Sequence, residues 1–480
     1  MKRAFVSTAI PYVNAEPHVG FALEIIQADV IARYQRLSGY DTFFLTGTDE
    51  NSLKNYRAAQ ELGISTEELC ERNSAEFYKL IAGLNISCDD FIRTSSDSRH
   101  APAARKLWLS SRDGDLYKRH YTGLYCVGCE DFYAAGDAPE AKCPEHGTPL
   151  ETVKEENYFF KLSSYQENII QLIDSGKLRI VPESRRNEIL AFARAGLNDF
   201  SASRTSERAG GWGIRVPDDP EQVIYVWYDA LTNYISAPGY ATDAPSYRDY
   251  WVNADLRIHV IGKGINRFHT LYWPAMLLSA GLALPDVVFI HGYLTIEGQK
   301  ISKSLGNVVA PLEQAKKYGI DPFRYYLLRS VSPFEDGDYS ETRLQSTYNS
   351  DLANNLGNLV SRVEAMGQRV QYTVGDVEPS PVPESFHSAM KDYKFNDALA
   401  ILWSEFSELN RLFEVKKPWE LLKEGRTDEV SQFLFGVIPS LLGVADCLEV
   451  FLPETANTIK RRFQPGVQIS KNSPLFPRLK

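Results

Sequence analysis

The N-terminal stretch constrains the fold of this 480-residue chain more than any other part of it. Residues 3–10 form an apolar run with the composition of a buried strand, and 11–17 form a loop broken by two prolines. Residues 21–37 then place Leu23, Ile26, Val30, Tyr34 and Leu37 at helical spacing, and 42–45 form a second strand ending in Thr46-Gly47-Thr48-Asp49. A strand–loop–helix–strand order predicts a parallel sheet of the type that takes nucleotides. Ligands of such sheets lie beyond the carboxyl ends of the strands, where residues 10–18 and Asp49 both fall.

The sheet cannot be the whole molecule, because a chain of this length implies two to four domains. Residues 117–150 are rich in Gly, Cys and charge, with little periodicity, and 151–220 read as mixed connecting structure. Strand-and-loop units return at 223–227, 257–261 and 287–290, so the sheet reads as split by an insertion. Beyond about residue 345 the pattern is helical throughout. There Leu352, Leu356, Leu359, Val363 and Met366 form a stripe predicted to be buried, leaving Asn358 and Arg362 as i, i+4 neighbours facing solvent.

The apolar share of 44% and charged share of 24% are those of an ordinary globular protein. No run of about 18 apolar residues is present, so no membrane span is expected, and the start lacks the pattern of a signal peptide. The net charge of −10 gives no basic field for nucleic acid. RNA contacts would have to use local patches such as Arg185-Arg186, Lys416-Lys417 and Lys460-Arg461-Arg462. Three of the six cysteines are clustered, while Cys70, Cys88 and Cys447 are scattered and read as buried thiols of a reducing cytosol.

Three constellations carry chemistry. Lys300-Ile301-Ser302-Lys303-Ser304 puts two ammonium groups on a short polar loop, suited to a pyrophosphate leaving group. Pro17-His18-Val19-Gly20 sits where a loop enters a helix N-terminus; backbone N–H groups favour anions there, Gly20 permits close approach, and the His18 ring can donate to a phosphate oxygen. Cys126-x-x-Cys129, thirteen intervening residues, then Cys143-x-x-His146 has the spacing of a tetrahedral zinc shell. Four protein ligands close such a shell, so this zinc is expected to be structural, one per chain.

The first two constellations resemble the "HIGH" and "KMSKS" motifs of class I aminoacyl-tRNA synthetases. Over nearly its whole length the chain resembles one branch of that class, the methionyl-tRNA synthetases, in their short bacterial form. The matching blocks are residues 9–20, the 126–146 knuckle, Tyr225-Val226-Trp227-Tyr228-Asp229-Ala230, Arg267-Phe268-His269, Tyr272-Trp273-Pro274, residues 300–304, Lys416-Lys417-Pro418-Trp419 and Pro474-Leu475-Phe476-Pro477-Arg478.

The resemblance implies an α/β fold: a Rossmann-type catalytic domain (1–115 and 223–298) split by a connective insertion with the zinc knuckle (116–222). A KMSKS loop and linker (299–345) and a helical anticodon-binding domain (346–480) would follow. It implies a methionine–tRNA ligase that uses L-methionine, ATP with Mg²⁺, and tRNA(Met). His18, Lys300 and Lys303 would be catalytic, and His18, Gly20, Gly292, Lys300, Ser302 and Lys303 would bind ATP. Ile10, Tyr12, Trp227, Ala230, Leu231, Tyr234, Ile265, His269 and Trp273 would line the methionine pocket, with Asp49 on the substrate ammonium. A thioether is well held by dispersion and sulfur–aromatic contacts. Asn358, Arg362 and Trp419 would read the anticodon, an unpaired base stacking on the indole. A cytoplasmic monomer is expected, since the chain lacks the extra C-terminal domain that pairs some family members.

The chain also departs from the pattern. Phe21 replaces the second histidine of "HIGH", Asn51-Ser52 stand where His-Gly is common, Gly264 replaces an aspartate, and Ile301 is the second residue of "KMSKS". These changes leave two rivals: an enzyme of the same fold activating another amino acid, and a non-catalytic tRNA-binding paralogue.

Overall fold

Strand Lys2–Thr8 lies inside a six-stranded, all-parallel sheet, as its unbroken apolar core requires. In the computed structural model, which describes every residue except 129, 134–140, 145–146 and 302–305 (and only the backbone of 131–133), the strand order is Asp90–Arg93, Tyr40–Thr48, Lys2–Thr8, Leu256–Gly262, Val287–His291, Arg179–Val181. The order reverses between Lys2–Thr8 and Leu256–Gly262, so a ligand crevice is expected beyond the carboxyl ends of those two strands. The loop after Thr8 and the turn Lys263–Ile265 occupy those ends.

The chain divides into two compact units: Met1–Pro17, Gly39–Ala82 and Ser87–His291 form the first, and His18–Ser38, Gly83–Ile86 and Gly292–Lys480 the second. The first holds the parallel sheet and a long antiparallel hairpin, Leu116–Cys126 with Glu151–Phe160, paired from Leu116↔Phe160 to Tyr125↔Glu151. Its apolar core runs from Phe5 and Leu45 through Phe160 to Trp251, Trp273 and Ile290.

In the second unit, helix Val19–Leu37 is capped by His18 and buries Leu23, Ile26, Val30 and Tyr34. Asp29 on this helix and Arg324 on helix Ile320–Ser330 form a fully buried ion pair at 2.6 Å. Arg324 also donates to the carbonyls of Leu84 (3.0 Å) and Phe451 (2.8 Å), and Arg33 reaches Asp29 at 2.7 Å. A buried ion pair persists when its remaining polar atoms are satisfied in this way. The C-terminal helices pack around the expected stripe, with Leu352, Leu356, Leu359 and Val363 inaccessible.

Several expectations change. Residues 223–227 are not a strand of the parallel sheet: Asp219–Ile224 pairs antiparallel with Ser203–Thr205, and Trp227 lies on helix Val226–Leu231. A short apolar run does not distinguish strand from helix, and this one serves both. Arg179–Val181, inside the expected insertion, is an edge strand of the parallel sheet. Leu37 is exposed at the helix end, and Cys88 is only half-buried. Helix Thr427–Leu448 is long and apolar enough to cross a membrane, but 56% of its apolar window is buried inside the helical unit. Each basic patch engages carboxylates: Arg185 with Glu188, Arg186 with Asp174, Lys417 with Glu420, Lys460 with Asp446 and Arg462 with Glu364.

Candidate active site

The aromatic residues expected to line a pocket come together in the first unit. Trp227 stacks on Phe268 with ring centroids 3.7 Å apart, and Tyr12 meets the indole edge-on at 6.3 Å. Tyr234 lies against Trp273 at 5.9 Å and bonds through its hydroxyl to His269 Nε2 at 2.7 Å. His269 Nδ1 faces the Ile265 carbonyl at 3.0 Å and must donate to it, so Nε2 accepts from Tyr234. Burial pushes the His269 ring down to about 4, against the favourable Ile265 bond, so it is neutral at physiological pH. Trp273 donates to His259 Nε2 at 3.2 Å, and the other nitrogen of that ring bonds Ser7 Oγ at 2.7 Å. Ala230 and Leu231 are buried beside Trp227, whereas Ile10 and Ile265 are partly exposed. The Tyr12 hydroxyl and Trp227 Nε1 are buried with no hydrogen-bond partner among the described residues, the condition of groups that a ligand satisfies.

Asp49 is tied to this pocket by backbone. It forms a parallel bridge with Tyr12, and its N–H donates to the Pro11 carbonyl at 2.8 Å. Its side chain is buried and accepts from the Asn51 N–H at 3.3 Å. Burial, then the nearby Asp229 and Glu130, raise its carboxyl well above the ordinary carboxylate range. A cation arriving there would be strongly favoured.

The phosphate-type residues lie in the second unit. His18 Nδ1 accepts from the Gly20 N–H at 3.1 Å, capping helix Val19–Leu37. That bond fixes the tautomer of the neutral ring: Nδ1 is the acceptor and Nε2 carries the hydrogen. Burial lowers the ring's basicity, so His18 offers a neutral N–H donor. A Cβ on Gly20 would lie 2.9 Å from the His18 ring and 3.7 Å from Ile301, so glycine lets the ring fold over the helix start. The Val19 N–H bonds the Val309 carbonyl at 3.1 Å, bringing the chain after the lysine loop to the same helix end. Lys300 is exposed on the short strand Gln299–Lys300, and Asn307 Nδ2 holds its carbonyl at 3.0 Å. Ser302 and Lys303 lie outside the described residues. Gly292 packs so closely on Glu335 and Asp336 that a Cβ would come within 2.2 Å of backbone, which is a structural reason for glycine there.

Of the knuckle, Cys126 ends strand Leu116–Cys126 and Cys143 opens a turn closed by Gly147 N–H to Cys143 O at 2.8 Å. Both cysteines are buried, which suits thiolate ligands held by tight turns. Cys129 and His146 lie outside the described residues, and no metal-binding group of three or more side chains occurs among the described ones.

In the helical unit, Arg362 lies over the Phe413 and Trp419 rings at 5.0 and 5.2 Å and pairs with Glu414 at 2.5 Å. It is therefore partly sequestered rather than pointing freely to solvent: an aromatic face and a carboxylate together hold a guanidinium well. Asn358 is exposed and lines a polar groove with Asn354, Ser361, Pro474 and Phe476.

The family model described as tRNA synthetases class I (M) matches residues 4–150 and 135–364. The methionine–tRNA ligase of Rhizobium meliloti is 42% identical over 513 residues, covering 99% of this chain and 98% of its own length. The chain belongs to the class I methionyl-tRNA synthetase family. The Thermotoga maritima member is 40% identical over 512 residues, covering 99% of this chain and 80% of its own. The Mycobacterium tuberculosis methionyl-tRNA synthetase in complex with methionyl-adenylate superposes with a TM-score of 0.91 at 37% identity, covering 100% of both chains. The apo form of that enzyme gives 0.83 at 34%. Within this family frame the structure also shows residues that the sequence did not single out: His100, and with it the buried contacts of Asp229 and Asn51.

Proposed function

We propose that the aromatic pocket around Trp227, Tyr12, Tyr234 and His269 holds the methionine side chain and that Asp49 holds its ammonium. The chain is a methionine–tRNA ligase. The observation that carries the residue assignment is the backbone bridge between Tyr12 and Asp49, which fixes a buried carboxylate to the wall of an uncharged aromatic pocket. A free amino acid with an apolar, polarizable side chain matches that pairing.

In the reaction, the α-carboxylate of methionine attacks the α-phosphate of ATP in line, forming methionyl-adenylate and expelling pyrophosphate. The terminal adenosine hydroxyl of tRNA(Met) then displaces AMP. This chain supplies position and electrostatics rather than a covalent nucleophile. The Nε2–H of His18 donates to phosphate oxygen as charge builds, and Lys300 and Lys303 accompany the departing pyrophosphate. Gly20, Gly292 and Ser302 complete the assigned ATP contacts, and Mg²⁺ arrives with ATP. Cys126, Cys129, Cys143 and His146 would hold a structural zinc in the knuckle of the 116–222 insertion. Asn358, Arg362 and Trp419, on the 346–480 helical domain, read the anticodon. Arg362 is already held against Trp419, so the stacking surface and its cation are preorganised. The setting proposed is cytoplasmic, and the chain acts as a monomer.

Pyrophosphate exchange across a panel of amino acids, with and without tRNA, tests this reading. Methionine should support exchange, and tRNA(Met) should be charged. Exchange that ignores methionine but responds to another amino acid would overturn it.

A further inference from the structure

His100 begins helix His100–Ser110 and is fully buried, as is Asp229. Its Nε2 lies 2.5 Å from Asp229 Oδ1, and its Nδ1 lies 2.8 Å from Ser236 Oγ. The Ser236 hydroxyl has a second acceptor, the Asn233 carbonyl at 3.2 Å; when it donates there, its oxygen is left to accept from Nδ1. With Nε2 facing a carboxylate, a ring that donates from both nitrogens is an imidazolium.

The second oxygen of Asp229 leads towards substrate. Asp229 Oδ2 accepts from Asn51 Nδ2 at 2.8 Å, and the Asn51 main-chain N–H reaches Asp49 Oδ1 at 3.3 Å. Asn51 thus joins two buried carboxylates that would otherwise repel. Like charges at one site cannot both stay ionised without compensation. A protonated Asp49 could not pair with an ammonium ion.

We propose that His100 is a positioning residue for the amino-acid substrate: as an imidazolium it cancels the charge of Asp229 and leaves Asp49 as the ionised carboxylate that meets the substrate ammonium. The assignment rests on the reading of Asp49 given above. The other charged or titratable groups facing the cluster are Asp97 beside His100, paired with Arg99, and Glu50, Glu130 and Tyr12 around Asp49, with Arg93 on Glu50, Arg204 on Glu130 and Lys54 over the Tyr12 ring. Two of these are carboxylates that add to the burden on Asp49, which makes cancellation at Asp229 more consequential.

Two measurements on the intact protein test the proposal. In histidine-labelled nitrogen-15 NMR of the substrate-free protein, the ring displaced by Asp229→Asn should show both nitrogens protonated at neutral pH; a singly protonated tautomer overturns the proposal. In pyrophosphate exchange, His100→Gln should raise the acid limb of kcat/KM for methionine by about one pH unit or more, with KM for ATP within about twofold of wild type. Adding Asp229→Asn removes the charge that needs cancelling and should return the limb to its original place. A purely structural histidine would not be rescued in this way. An unmoved limb, or a double variant no better than the single, overturns the proposal. Failure of wild-type protein to respond to methionine would instead overturn the reading of Asp49, and the NMR result would be unaffected.

Discussion

His18 is assigned two jobs, one structural and one proposed, that a single substitution normally confounds. Its Nδ1 caps helix Val19–Leu37, and in the proposed reaction its Nε2–H donates to ATP phosphate. His18→Ala should lose the cap, worth about 1 kcal/mol, and slow exchange by roughly 10²–10³-fold through loss of a transition-state donor. His18→Asn keeps a good capping oxygen, so thermal stability should return while exchange stays slow. Recovery of both would show that capping is the whole of its role. At the proposed anticodon site, Trp419→Ala should cost about 1–3 kcal/mol of base stacking and release Arg362 from one of its two aromatic neighbours. Aminoacylation should weaken while methionine-dependent exchange is unchanged; equal losses in both assays would make Trp419 structural.

Helix Ile320–Ser330 carries its own pH signature. Asp321 Oδ2 accepts from the Thr455 N–H at 2.6 Å, while Oδ1 is buried without a hydrogen-bond partner among the described residues. Burial, against the Thr455 contacts, pushes the Asp321 carboxyl up to about 6 from an ordinary 3.8. Between those values the folded chain keeps a proton that the unfolded chain releases, so this group's stabilising contribution falls as pH rises through the window. Urea midpoints measured between about pH 4 and 6.5 should therefore show a declining component that Asp321→Asn flattens. An identical profile in the variant would assign the decline to other groups. The same scale shows where sequence periodicity carried information and where it failed. Leu23, Ile26, Val30 and Tyr34 are buried as their spacing implied, because one helix face has one environment along most of its length. Leu37 fails at the end, where the helix runs out of cover. Arg179–Val181 was illegible because three residues cannot show an alternation, and its pairing partner, Val287–His291, is remote in sequence.

Across the molecule, legibility follows sequence distance. Residues in one short block, such as Trp227, Ala230 and Leu231, could be expected side by side from the chain alone, since local motifs keep their spacing. The His100–Asp229 contact spans 129 positions, and nothing local to either residue announces the other. The knuckle is the opposite case: its ligand spacing is entirely local, and metal analysis of protein never exposed to chelator should find about one zinc per chain, with Cys143→Ser losing it. Zinc-free wild-type protein would remove the assignment.

The buried Asp29–Arg324 pair has a practical consequence for dissecting this enzyme. Val19–Leu37 belongs by sequence to the opening motif, yet its inward charge is met by Arg324 from the C-terminal half, a guanidinium that the carbonyls of Leu84 and Phe451 hold in place. A truncation after His291 would take Arg324 from Asp29, leaving it Arg33 on its own helix, and would leave a helix face bare. Gene fragments cut at the end of the parallel sheet should therefore be recovered as aggregates, and a workable minimal version must retain the downstream arginine helix.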